Sequence, residues 1–200
     1  MHWQWNTSYI NNTMDTAMHW VGISGSLRKD SYNTLLLKAA AALLPQDVTM
    51  EIASIDLPLY NGDNDLPIAH ERPVVVQQSR EIFAKADGFV IVSPEYNYSI
   101  PGGLKNLIDW HSRNDDSPLL NKPVALMGAT PGMWGTVRMQ SAFHSIFQAL
   151  NMKPVNKHEI LLSQANKKFD ETGKLTDEKA IELVGRKLQA LKETILQLKK

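Results

Sequence analysis

Residues 18–33 read MHWVGISGSLRKDSYN. The first seven residues are an apolar run short enough for a buried strand. A Gly/Ser turn follows, and then Ser31-Tyr32-Asn33 opens an Ala/Leu-rich stretch of helical composition over residues 31–44. Strand, glycine turn and helix start in this order are the first unit of a βαβ fold. A helix start offers unpaired backbone N–H groups and partial positive charge, so the turn is a ready site for an anion.

The pattern repeats downstream. VTMEIA at 48–53 alternates as a second strand, and residues 56–73, with three prolines and an Asn-Gly pair, read as a loop. Residues 74–86 read as a helix. GFVIVS at 88–93 is a continuous apolar strand, as in a parallel sheet covered on both faces. Residues 103–112 read as a helix, PVALMGA at 123–129 as a strand, residues 137–150 as a helix and residues 155–162 as a weaker last strand. Residues 166–174 form a polar turn region. In the last helix Ile181, Val184, Leu188, Leu191, Ile195 and Leu198 recur at steps of three and four as one core-facing stripe, with Thr176 as N-cap. The expected fold class is α/β, a flavodoxin-like doubly wound five-stranded parallel sheet in three layers. Ligands of such sheets bind at the carboxyl ends of the strands.

Composition narrows the function. Hydrophobic residues make up 43% of the 200-residue chain, enough for one core. Lys+Arg and Asp+Glu balance at 21 each, which argues against nucleic-acid or membrane partners. No apolar run reaches the roughly 18 residues of a membrane span. The absence of cysteine removes disulfides, thiolate catalysis and Cys-ligated metals, and fits a cytoplasmic location. The six histidines show no metal-ligand spacing; His111 and His144 read as helix-surface or interface residues. Residues 1–17 are polar and Asn/Thr-rich, without the features of a signal peptide, and read as a flexible extension before a domain over 18–200.

The loop after the first strand brings the hydroxyls of Ser24, Ser26 and Ser31, the Asn33 amide and the Arg28 guanidinium together at a helix start. That mixture suits a phosphate dianion; an ordinary turn capped by Ser31 is the alternative. The dinucleotide fingerprint and the ATP P-loop are both absent. The hydrolase elbow G-x-S-x-G fails because Ser26 stands at its last glycine. The loop after the third strand, SPEYNYSIPGGLKN at 93–106, puts aromatic and amide groups at the sheet mouth. That suits a flat heteroaromatic ring; a packed surface loop is the alternative.

GSLRKDSYN and SPEYNYSIPGGLKNLIDW together resemble the NADPH-dependent FMN reductase family of flavodoxin-like quinone and chromate reductases, and the resemblance runs from about Met18 to the last helix. It implies bound FMN, with NADPH or NADH as hydride donor. It also implies a small-molecule acceptor (quinone, flavin, azo compound or metal oxyanion), a homodimer or homotetramer, and no catalytic acid or base. By motif position Ser24, Ser26, Leu27, Arg28, Ser31, Tyr32 and Asn33 surround the phosphate. Pro94, Glu95, Tyr96, Asn97 and Tyr98 flank the ring, largely through backbone. Ala129, Thr130 and Gly132 approach its pyrimidine edge, where backbone N–H groups are expected to stabilise negative charge. Arg113 and Arg138 are candidates to meet donor phosphates or a partner subunit, with a cap on the C-terminal end of its helix as the favoured reading of Arg113. A non-catalytic electron carrier or flavin-dependent binding protein is the alternative on the same fold.

Overall fold

In the computed structural model, residues 17–65, 72–113 and 115–200 are described. The segment read as an N-terminal extension therefore lies outside the described residues, apart from Ala17.

Five rows of strand form one parallel sheet. They are β1 (Met18–Ser24), β2 (Val48–Ala53), β3 (Gly88–Val92), β4 (Pro123–Ala129) and a last row split into β5 (Lys153–Pro154) and β6 (Ile160–Leu162). The order is β2-β1-β3-β4-β5, with β6 also pairing β4. Every pair is parallel. The single strand expected over 155–162 is thus two short pieces. Lys153 N–H and Val155 N–H donate to the Lys122 and Val124 carbonyls at 3.0 and 2.9 Å on either side of Pro154, and strand pairing with β4 resumes at Met127–Ile160.

The helices are α1 (Tyr32–Ala42), α2 (Val74–Ala84), α3 (Gly102–His111), α4 (Val137–Ala149) and α5 (Glu178–Leu198). Alternate strand residues serve opposite faces. Met18, Trp20, Val90, Val92, Ala125 and Met127 pack with Leu36 and Leu37 of α1 and Val184, Leu188 and Leu191 of α5. Val21, Ile23, Phe89, Ile91, Val124 and Leu126 pack with Phe83 of α2, Leu104 and Leu107 of α3 and Phe143 of α4. Both faces of β3 and β4 are therefore dry, which is why these strands read as unbroken apolar runs, while the edge strand β2 exposes Thr49 and Glu51 and reads as alternating.

Helix ends follow their caps. Ser31 caps α1, its hydroxyl accepting from Asn33 N–H at 3.2 Å, as the sequence suggests. Asp177, not Thr176, caps α5, its carboxylate accepting from Ala180 N–H at 2.8 Å. The carboxylate is favoured there by the helix dipole, while the Thr176 hydroxyl donates to the Lys168 carbonyl. The core stripe of α5 ends at Ile195; Leu198 is exposed.

His111 is buried rather than a surface residue. Its Nδ1 donates to the Leu107 carbonyl at 2.8 Å, so Nε2 accepts from the Ser79 hydroxyl at 3.0 Å. The Phe83 ring lies 4.1 Å away between centroids. Burial pushes its pKa down to about 4, with Arg80 and Arg72 adding repulsion. The fold holds this imidazole neutral while the unfolded chain protonates it near pH 6.5. Between those two values the unfolded state binds more protons, so stability rises with pH. Acidifying from pH 7 to below 4 removes on the order of 3 kcal/mol through this group. Chemical denaturation of His111→Gln across pH 4–7 should show a correspondingly shallower pH slope than the wild type; equal slopes would exclude His111 as the source.

Candidate functional site

At the carboxyl edge of the sheet the loops after β1, β3 and β4 converge on a cavity of about 790 Å³. That is within the roughly 300–1,000 Å³ usual for small-molecule sites. The loops meet there because they leave neighbouring parallel strands in the same direction. Gly25 permits a close approach: its N–H donates to the Val92 carbonyl at 2.8 Å, and a Cβ there would lie 2.4 Å from the Ser93 hydroxyl oxygen.

One end of the cavity is the start of α1. Ser26, Arg28, Asp30, Ser31, Tyr32, Asn33 and Leu35 line it. Arg28 is exposed, and its guanidinium donates to the Asp30 carbonyl while its N–H donates to the Ser26 hydroxyl oxygen at 3.2 Å. Hydroxyl, guanidinium and helix start are thus assembled as the sequence expects. Asn33 is used differently. Its amide oxygen accepts from Ala129 N–H at 2.8 Å and its Nδ2 donates to the Ala129 carbonyl at 2.9 Å, locking α1 to the end of β4. Ser24 and Leu27 do not line the cavity: the Ser24 hydroxyl lies 2.8 Å from that of Thr34, and Leu27 is exposed.

The cavity is further lined by Pro94, Glu95 and Tyr96 from the β3 loop and by Ala129, Thr130 and Pro131 from the β4 loop. The β3 loop is a tight turn. Tyr96 and Ser99 exchange backbone hydrogen bonds at 3.1 and 3.0 Å, and Asn97 and Tyr98 hold positive φ angles of 48° and 64°. Asn97, Tyr98 and Gly132 do not line the cavity. The β4 loop departs from expectation in its donors. Ala129 N–H goes to Asn33, Thr130 N–H to the Leu162 carbonyl at 2.9 Å, and Gly132 N–H to the Thr130 hydroxyl at 3.2 Å. Pro131 has none. In this arrangement those amides are committed within the protein.

The Glu95 carboxylate faces α4. Thr136, the residue before α4, has φ 68° and no side-chain cap bond. Glu95 supplies the cap from another loop: Oε2 accepts from Arg138 N–H at 2.9 Å and from Met139 N–H at 3.2 Å, and Oε1 meets the Arg138 guanidinium at 3.3 Å. Arg138 also lies 4.3 Å from the Tyr98 ring centre and 5.2 Å from that of Trp134. Its charge is therefore spent joining the β3 and β4 loops. Arg113 sits away from the cavity, against Asp109 at 3.5 Å and 5.0 Å from the Tyr60 ring centre.

Sequence reasoning missed one wall. Asp170, Glu171, Thr172 and Gly173 also line the cavity. They belong to a turn held by the Asp170 carboxylate, which accepts from Thr172 N–H at 2.9 Å, the Thr172 hydroxyl at 2.7 Å and Lys174 N–H at 2.9 Å. Phe169 next to it stacks on Tyr32 of α1 with ring centres 5.9 Å apart. The Asp-x-Thr-Gly spacing signals the turn; nothing local signals that it returns to α1.

The NADPH-dependent FMN reductase family model matches residues 18–167. The chain belongs to that family. An NAD(P)H-dependent FMN reductase from Pseudomonas aeruginosa is 42% identical over 180 residues, covering 90% of this chain and 96% of the relative. A quinone reductase from Escherichia coli is 36% identical over 191 residues, covering 93% of this chain and all of that protein. Among solved structures, the flavoenzyme NAD(P)H:(acceptor) oxidoreductase FerB from Paracoccus denitrificans superposes with a TM-score of 0.80 at 27% identity, covering 90% of this chain and 98% of that one. This FMN reductase family member is accordingly an FMN- and NAD(P)H-dependent oxidoreductase. The cavity's lining fits the cofactor: cation, hydroxyls and helix start from the β1 loop, and backbone and aromatic groups from the β3 loop.

Removing the Glu95 carboxylate leaves two N-terminal N–H groups of α4 unpaired. Glu95→Ala should lower unfolding free energy by about 1–2 kcal/mol, the scale of a lost helix cap, and Glu95→Gln, which keeps an acceptor, by less. Urea unfolding checks this; identical midpoints for all three proteins would refute the cap.

Proposed function

We propose that this chain transfers hydride from NADPH or NADH, through FMN seated in the 790 Å³ cavity, to quinones and similar small acceptors. The observation that carries the reading is the joining of a phosphate-type donor cluster and an aromatic-flanked loop in one cavity. The relatives named as quinone reductases support the acceptor class.

When bound, FMN supplies the hydride-accepting and hydride-donating chemistry. The chain's residues bind and orient. Arg28, with Ser26, Ser31 and the first turn of α1, holds the terminal phosphate; Ser24, Leu27, Tyr32 and Asn33 build and support that loop. Pro94, Glu95 and Tyr96 form the ring side, with Asn97 and Tyr98 completing the turn outside the cavity; Ala129 and Thr130 form a further wall, with Gly132 supporting their loop. The Glu95 N–H has no acceptor among the described residues, so it is the donor available to negative charge on the ring. No side chain is required as acid or base, and among the described residues no cluster fit to hold a metal occurs.

The exposed Tyr98, Met133 and Trp134 beside the mouth support closure by a second copy, as a homodimer or homotetramer. Among the described residues no helix is long and apolar enough to cross a membrane; a cytoplasmic location is part of this proposal.

Anaerobic addition of NADPH or NADH to the FMN-loaded protein should bleach its visible absorbance, and a quinone should restore it. Absence of bleaching with either donor refutes the function. Arg28→Ala should weaken FMN binding by about 1.5–3 kcal/mol, the worth of a charge-assisted hydrogen bond. Fluorescence titration with FMN measures this, and an unchanged affinity would place the phosphate elsewhere.

A further inference from the structure

The core face of α5 holds one residue that does not belong to an apolar stripe. Lys187 lies among Val184, Leu188 and Leu191 and is buried with them, at 3% exposure. Its ammonium donates to the Val155 carbonyl and makes no ion pair among the described residues. An ammonium carries three N–H donors, and a buried charge without a counter-ion is costly. Only one of these donors has a protein acceptor among the described residues.

Space for a further acceptor is present. A cavity of about 160 Å³ lies where α4, α5 and the segment 154–161 meet, lined by Gln140, Ser141, His144, Asn156, Glu159 and Lys187 among others. It shares no residue with the cavity at the sheet's carboxyl edge. Several of its polar groups are already committed. Gln140 Nε2 donates to the Ile160 carbonyl at 2.9 Å, the Ser141 hydroxyl to the Val137 carbonyl at 3.0 Å, and His144 Nδ1 to the Ser141 carbonyl at 3.1 Å. Lys187, Asn156, His144 and Glu159 are the remaining polar residues of the lining, Lys187 buried and the other three exposed; no hydrogen bond of the Asn156 amide, of His144 Nε2 or of the Glu159 carboxylate occurs among the described residues. Charge and donors converge on a volume too small for a nucleotide.

We infer that this second cavity binds a small oxyanion, a carboxylate or a group the size of sulfate, with Lys187 as its anchor. Burial pulls the Lys187 pKa down to about 8, against the attraction of Glu159. The anchor is therefore mostly charged at pH 7 and neutral by pH 10. Glu159 repels the same anion and limits its affinity; His144 and Asn156 line the cavity from the α4 and 154–161 sides.

The test uses holoenzyme at saturating FMN, so that the Arg28 end of the large cavity is filled and a failure here leaves the flavin reading intact. Sodium acetate or sodium sulfate replaces sodium chloride at constant ionic strength, and the thermal midpoint is followed. Sulfate stabilises proteins generally, so the comparison is with Lys187→Met, an apolar residue of similar length suited to the core. At pH 7 the wild-type midpoint should rise along a saturable curve with at least one of the two anions, and this component should vanish at pH 10 and in Lys187→Met at both pH values. Glu159→Gln should lower the half-saturating concentration severalfold. Superimposable wild-type and Lys187→Met curves at pH 7, or weaker binding in Glu159→Gln, would overturn the proposal.

Discussion

One amide side chain joins the two halves of the site. Asn33 bonds both the N–H and the carbonyl of Ala129 and thereby fixes the first turn of α1 to the last residue of β4. Each hydrogen bond is buried, so breaking one leaves an unsatisfied peptide group at a cost of about 1–3 kcal/mol. The cavity exists because this tie and the Glu95 cap on α4 hold three loops at a common edge. Neither tie is local: one spans 96 residues and the other 43.

This non-locality decides what the sequence reveals. Strands and helices were legible because periodicity and apolar runs are local properties. Ser31 as a cap and the Gly/Ser turn before α1 were legible for the same reason. The partners of Glu95 and Asn33 were not, since a carboxylate or amide in a loop carries no mark of the helix or strand it will reach. The turn at 170–173 and the buried state of His111 and Lys187 were hidden likewise. His111 is carried inward by packing on Phe83 and Ser79 of another helix. Lys187 sits one residue before Leu188 in a stripe that its neighbours alone would define as dry.

Charge is distributed to match. Arg138 is neutralised by Glu95 and stacked beside Tyr98 and Trp134, while the Arg28 guanidinium bonds only the backbone carbonyl of Asp30 within its own loop. Two arginines near one cavity thus have separate uses, one internal to the scaffold and one available to a ligand. The β4 loop commits the Ala129, Thr130 and Gly132 amides to the scaffold, and among the cavity-lining residues donors remain at the start of α1 and at Glu95. Rigidity in the walls leaves binding energy for orientation of the ring and its reactants.

The central claim is that the α1, β3 and β4 loops grip one flavin nucleotide together. Amide hydrogen exchange with and without FMN tests it most directly. The account predicts new protection in peptides spanning 26–33, 94–99 and 129–132 at once, with the α5 helix unchanged. Protection confined to a single one of these segments, or appearing elsewhere in the chain, would contradict it.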